Sequence, residues 1–104
     1  MGKYSLDPCI EHDLWAIWRF IARNNPDAAT RVVEAAYETF KILANNPELG
    51  RTHLTRKSSL KNTRYWPISG FDNYLIFYRP VPDGIQVNHI YHGARNIEAL
   101  FGKK

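Results

Sequence analysis

Five consecutive bulky residues, Tyr74-Leu75-Ile76-Phe77-Tyr78, constrain this chain more than any other stretch. Neighbouring side chains of a strand point to opposite faces, so a strand built from this run needs cover on both sides. Beyond it, Pro80-Val81-Pro82-Asp83-Gly84 sets an Asp-Gly turn signal between two hydrophobic segments, and Ile85, Val87 and Tyr91 then fall at even spacing. The pattern predicts a β-hairpin. Its second strand runs into the polar cluster His92-Gly93-Ala94-Arg95-Asn96, and Ile97 to Phe101 closes the chain as a short amphipathic segment. Recognition or chemistry is expected near that junction, with a basic segment upstream contributing from the other side.

The residues before the hairpin supply its cover. Lys3 to Leu6 suits a brief strand with Tyr4 and Leu6 on one side. Asp7-Pro8 reads as a helix start, an Asp able to cap free amides followed by a Pro that needs no donor. Ile10, Leu14, Ile17, Trp18 and Ile21 then recur at helical spacing, which predicts an amphipathic helix ending near Asn24. Asn25-Pro26 repeats the cap-and-proline device, and Ala29, Val32, Val33, Ala36, Phe40 and Leu43 form the stripe of a second helix that stops at Asn45-Asn46-Pro47. Two helices so closely joined fold back as an antiparallel hairpin. Arg51 to Thr63 is polar and basic without a clear period, and Tyr65-Trp66-Pro67-Ile68 reads as a strand that Pro67 confines to an edge or a bulge. The expected fold is α+β: a short N-terminal strand, an antiparallel helical hairpin packed on a small antiparallel β-sheet, and a short C-terminal helix, in one domain spanning 1–104.

Charge is distributed unevenly. Residues 1–48 carry seven acidic and five basic side chains, whereas residues 49–104 carry three and nine. No acidic residue lies between Leu49 and Phe71, where Arg51, Arg56, Lys57, Lys61 and Arg64 fall, so this half favours a polyanion or an acidic partner. A solvated face tuned for solubility is the plainer alternative. With 44% hydrophobic residues the chain has the composition of a folded protein, not a disordered one. It contains no window long enough for a transmembrane helix and no secretory leader pattern at Met1 to Tyr4, so a cytoplasmic location is expected. The single cysteine, Cys9, permits no internal disulfide and reads as a small buried hydrophobe.

Glycine-rich phosphate loops, paired CxxC, HExxH and GxSxG motifs are all missing, and His12, His53, His89 and His92 show no metal spacing; no cofactor or metal is expected. The remaining phosphate or proton handlers are Arg51, His53, Arg56, Lys57, Arg64, Tyr78, Arg79, His89, Tyr91, His92 and Arg95. Strand alternation sets His89 and Tyr91 on one face and Ile90 with His92 on the other. His92 as proton handler, with Arg64, Arg79 or Arg95 holding a phosphate and Tyr78 beside them, is one reading; it describes an RNase. In the other, the tyrosines are sheet residues, His92 caps a strand end, and the arginines meet an acidic partner.

These strings resemble the RelE/ParE superfamily of bacterial toxins from type II toxin–antitoxin systems. The resemblance spans nearly the whole chain: Asp13-Leu14 in helix one, Asn25-Pro26-Asp27-Ala28-Ala29 opening helix two, the turn Asn46 to Arg51, Phe71 to Arg79, and His92 to Ile97. RelE-like members are ribosome-dependent mRNA endonucleases with an arginine where this chain has Leu75; a leucine cannot stabilise a phosphorane. ParE-like members are described as DNA gyrase inhibitors with an aliphatic residue there, so the resemblance implies a gyrase-binding toxin of the plasmid-stabilisation type, causing growth arrest without hydrolytic chemistry. His89 and Asn96 depart from the arginine and aspartate usual in that branch. The resemblance further implies a cognate antitoxin whose acidic or amphipathic C-terminal segment lies along the helical hairpin, possible hetero-oligomers of the two, and contacts to target or antitoxin through Arg51, Arg56, Lys57, Lys61, Arg64, Arg79, His89, His92, Arg95, Ile97, Leu100 and Phe101. A ribosome-dependent RNase, for which His92→Ala and Arg64→Ala each abolish cleavage, and an inactive relic that only binds its antitoxin are the alternatives.

Overall fold

The computed structural model describes residues 2–52 and 62–92. Strand β1 (Lys3–Leu6) leads into helix α1 (Cys9–Ala22) and helix α2 (Pro26–Asn45). After a turn come β2 (Arg51–Thr52), β3 (Arg64–Ile68), β4 (Phe71–Val81) and β5 (Gly84–His92). The segment Ile97 to Phe101, expected as a helix, lies outside the described residues.

Helix α2 forms where its local signals place it. Asn25 accepts a hydrogen bond from the Ala28 amide through Oδ1 at 3.0 Å, and Pro26 occupies the first turn. Asn25→Ala is expected to cost about 1 kcal/mol, typical of a lost N-cap, read as a lower urea midpoint. Helix α1 starts differently from the sequence expectation. Pro8 stands at its cap with no side-chain cap bond, and the Asp7 carboxylate accepts from Gln86 Nε2 at 2.7 Å and Asn88 Nδ2 at 3.1 Å. Two amide donors on β5 outcompete free helix amides that water can satisfy, so Asp7 ties β1 to β5 instead.

The sheet has the order β1-β5-β4-β3-β2. Its four later strands pair antiparallel, while β1 joins the edge of β5 in parallel, Lys3 to Leu6 facing Gly84 to Val87. The sheet is therefore mixed, not purely antiparallel: the helical hairpin carries the chain across the sheet, and β5 returns in the direction β1 set out. Strand β2 escaped the sequence reading because two polar residues pairing with Tyr65 and Arg64 leave no periodic signal. Pro67 does sit at a register shift in β3, as its missing donor requires.

One sheet face packs under the hairpin. Ile10 and Leu14 of α1 and Val32, Ala36, Phe40, Leu43 and Ala44 of α2 meet Ile68, Ile76, Tyr78, Ile85, Val87 and Ile90. Phe40 is held between the rings of Tyr4 at 5.5 Å and Tyr37 at 5.4 Å. Val33 and Trp18, assigned to the helix stripes, are only half-buried. Trp18 stacks on Trp15 and directs its indole N–H to Thr30 Oγ1.

The even spacing of Ile85, Val87 and Tyr91 does not survive folding. Phe77 faces His89 and Tyr78 faces Val87, so Asn88 is an extra residue opposite β4. The bulge shifts alternation by one, and Ile85, Val87 and Ile90 point into the core while Tyr91 turns to the far face. There Tyr65, Phe77, Tyr91 and His89 form a row with ring separations of 5.7, 5.4 and 5.3 Å. Phe77 is only 3% exposed, so the five-residue apolar run is indeed buried on both sides at its centre.

Candidate functional site

The candidate residues fall at two ends of the sheet. At one end, β3 and β4 meet the turn after α2. Tyr78 is fully buried; its hydroxyl donates to the Pro47 carbonyl and accepts from the Gly50 amide, both at 2.8 Å. Arg64 Nη1 donates to the carbonyls of Gly50 at 2.8 Å and Glu48 at 3.2 Å. Both residues, candidates for acid–base work and phosphate binding, are thus spent at least in part on holding the turn from Pro47 to Gly50. Burial pushes the Tyr78 phenol above its ordinary pKa, against the weaker opposing pull of the Gly50 hydrogen bond and the Arg64 charge. A proton handler for neutral pH needs the reverse.

Arg51 is exposed beside this turn, and Arg79 lies on the outer face, donating to Gln86 Oε1, which in turn leads to Asp7. His53, Arg56, Lys57, Lys61, Arg95, Ile97, Leu100 and Phe101 lie outside the described residues.

At the other end, β5 extends past the last residue of β1, and its edge would be left open. Helix α1 closes it. Cys9 donates to the Asn88 carbonyl at 3.0 Å, and Asp13 Oδ2 accepts the Ile90 amide at 3.1 Å. His89 reaches the same place, with Nδ1 3.5 Å from Asp13 Oδ2 and 3.6 Å from Cys9 Sγ. Cys9 is therefore not a plain buried hydrophobe; it is half-buried, and burial followed by the Asp13 and Asp7 carboxylates raises its thiol pKa. Cys9 and Asp13 lie one turn apart on one helix face, a spacing visible in the sequence, but their meeting with His89 depends on the bulge at Asn88.

Farther along β5, alternation separates the histidines as expected. His89 packs against Tyr91 with the rings tilted, whereas His92 sets its ring edge-to-face with Tyr74 at 5.1 Å on the helix side. A groove of about 460 Å³ opens there, lined by Asp13, Ile17 and Phe20 of α1 and by Tyr74, Ile90 and His92. His92 faces Tyr74 and Arg64 faces Tyr78, four residues along β4, a separation of about 14 Å at strand rise. Arg79 is one residue farther. Of the described residues of the RNase reading, Arg64 and Tyr78 meet at Gly50 with Arg79 next along β4, and His92 stands apart from all three.

A hairpin of helices over a five-stranded mixed sheet is also the architecture of a solved protein described as "Chromosomal ParDE TA system from P. aeruginosa", with a TM-score of 0.69 and 20% identity, covering 88% of this chain and 96% of that one. The likeness defines a shared fold. In sequence, the chain is 31% identical over 93 residues to "Toxin RelE3" of Caulobacter vibrioides, covering 88% of this chain and 95% of the relative. Residues 4–97 match the family model described as "ParE toxin of type II toxin-antitoxin system, parDE". The chain belongs to that family, within the RelE/ParE superfamily, and is the toxin component of a type II toxin–antitoxin system.

Proposed function

We propose that this toxin arrests growth by binding DNA gyrase, without cutting RNA itself. The observation that carries the reading is the separation of His92 from Arg64 and Arg79, together with the burial of the Tyr78 hydroxyl between Pro47 and Gly50. General acid–base cleavage needs its proton handler and its phosphate clamp around one scissile bond. Leu75 supports the same reading: it lies opposite Pro67 and Tyr91 on an apolar stretch of the outer sheet face, where it offers a phosphate nothing.

The test is supercoiling of relaxed plasmid by gyrase with purified toxin titrated in. The expected result is inhibition at micromolar toxin with accumulation of cleaved DNA. Unaffected gyrase combined with ribosome-dependent cleavage of mRNA would overturn the reading in favour of the RNase. Unaffected gyrase and normal growth after expression without a partner would instead identify a relic. A gyrase target places the site of action in the cytoplasm, and no helix among the described residues is long and apolar enough to cross a membrane.

The cognate antitoxin is proposed to lay an acidic or amphipathic segment along the helical hairpin, where Trp15 is 56% exposed and Phe20, at the groove beside β5, is 64% exposed. The basic half of the toxin steers that association, so its rate is expected to fall as salt rises.

A further inference from the structure

We infer that Cys9, Asp13 and His89 form a binding site for a zinc-type divalent cation that pins helix α1 to the edge of β5. The three side chains supply one sulfur, one oxygen and one nitrogen donor, all within 4.8 Å of one another. A tetrahedral ion with bonds of about 2.3 Å to sulfur and about 2.0–2.1 Å to nitrogen and oxygen sets a sulfur–nitrogen edge of about 3.6 Å and a nitrogen–oxygen edge of about 3.3 Å. The corresponding separations here are 3.6 Å between Cys9 Sγ and His89 Nδ1 and 3.5 Å between His89 Nδ1 and Asp13 Oδ2. Two of the three edges thus match such a polyhedron, and the third, from Cys9 Sγ to the Asp13 carboxylate, lies within 4.8 Å, so binding requires a small inward movement of these side chains.

The surroundings favour the same use. Asp13 is oriented by the Ile90 amide, the kind of outer bond that fixes a ligating carboxylate. Asp7 lies next to the site and adds a second carboxylate to its field. A thiolate and an imidazole with one carboxylate select zinc-like ions over magnesium or calcium, which take oxygen ligands. On binding, Cys9 releases its thiol proton to solvent, Nδ1 of His89 offers its lone pair, and the imidazole proton moves to Nε2. His89 is 45% exposed and Asp13 22%, so the fourth position faces water and is open to a donor from a partner. The site does not depend on whether gyrase or the ribosome is the toxin's target.

Cobalt(II) titrated into the reduced full-length chain provides the probe. The expected result is one equivalent bound, with a thiolate-to-cobalt charge-transfer band and tetrahedral d–d bands, both displaced by zinc but not by magnesium. Cys9→Ser retains a donor for the Asn88 carbonyl and Asp13→Asn an acceptor for the Ile90 amide, so both variants are suited to keep the fold. Cys9→Ser removes the charge-transfer band, and Asp13→Asn and His89→Ala each weaken cobalt binding by at least about tenfold. Zinc raises the Tm of the wild type and not of Cys9→Ser. Cobalt bound without the charge-transfer band, or equal zinc stabilisation of wild type and Cys9→Ser, identifies adventitious histidine binding and overturns the proposal.

Discussion

Replacing Tyr78 by phenylalanine is expected to cost about 1–3 kcal/mol, a large loss for removal of one oxygen. The Gly50 amide loses its acceptor and the Pro47 carbonyl its donor, both beside the core where water does not readily replace them. Tyr78→Ala adds a cavity and is expected to reach about 3–5 kcal/mol. Urea titrations of the three proteins test this, and a phenylalanine variant as stable as the wild type would show that the turn after α2 does not need the hydroxyl. The neighbourhood is packed tightly enough that a Cβ at Gly50 would stand 2.4 Å from the Tyr78 hydroxyl oxygen. Alkaline pH provides an independent reading. Because burial holds the Tyr78 pKa above its usual value, the unfolded chain gives up this proton first as pH rises. Tyr78 therefore contributes stability that is fully present below about pH 10 and lost above it, and Tyr78→Phe should flatten that alkaline decline. Tyr74, also raised by burial, leaves a residual slope of the same sign.

Gly84→Ala is expected to detach β1 from the sheet. Gly84 has φ +158° and faces Lys3, and a Cβ placed there would lie 1.7 Å from the Lys3 carbonyl oxygen and 2.6 Å from its nitrogen. No rotamer relieves a collision with backbone, so the parallel pair must open, beginning with the hydrogen bond from the Lys3 amide to the Asp83 carbonyl. Hydrogen exchange should show lost protection at Lys3 to Asp7 while β3 and β4 keep theirs, with a stability loss of about 1–3 kcal/mol or more. Retained protection in β1 would mean that the turn at Pro82-Asp83 absorbs the added methyl group.

Much of the fold was legible because its signals are local. Asn25-Pro26 both reads and acts as a cap, the α2 stripe is buried at Ala29, Val32, Ala36, Phe40 and Leu43, and Pro67 marks a register shift. The division of His89 and Tyr91 from His92 also followed from alternation, since both lie beyond the bulge. The site was less legible. Tyr78 and Arg64 have the chemistry of catalytic groups, but their partners are main-chain groups of the turn at Pro47 to Gly50, distant in sequence and without a side-chain signature. Asp7 resembled a cap because its role on β5 requires a parallel pairing that no local pattern announces.

The family and the arrangement of helices on a sheet were thus determined by sequence alone, through periodicity, proline and asparagine punctuation, and strings shared with known toxins. Tertiary structure decided which polar residues meet. The extra residue at Asn88 reverses the alternation of β5, the end of β1 leaves its edge open, and α1 fills the gap with Cys9 and Asp13. That meeting arises from the register between strands and the place where one of them stops, and register is set by packing across the whole sheet, not by the residues that it brings together.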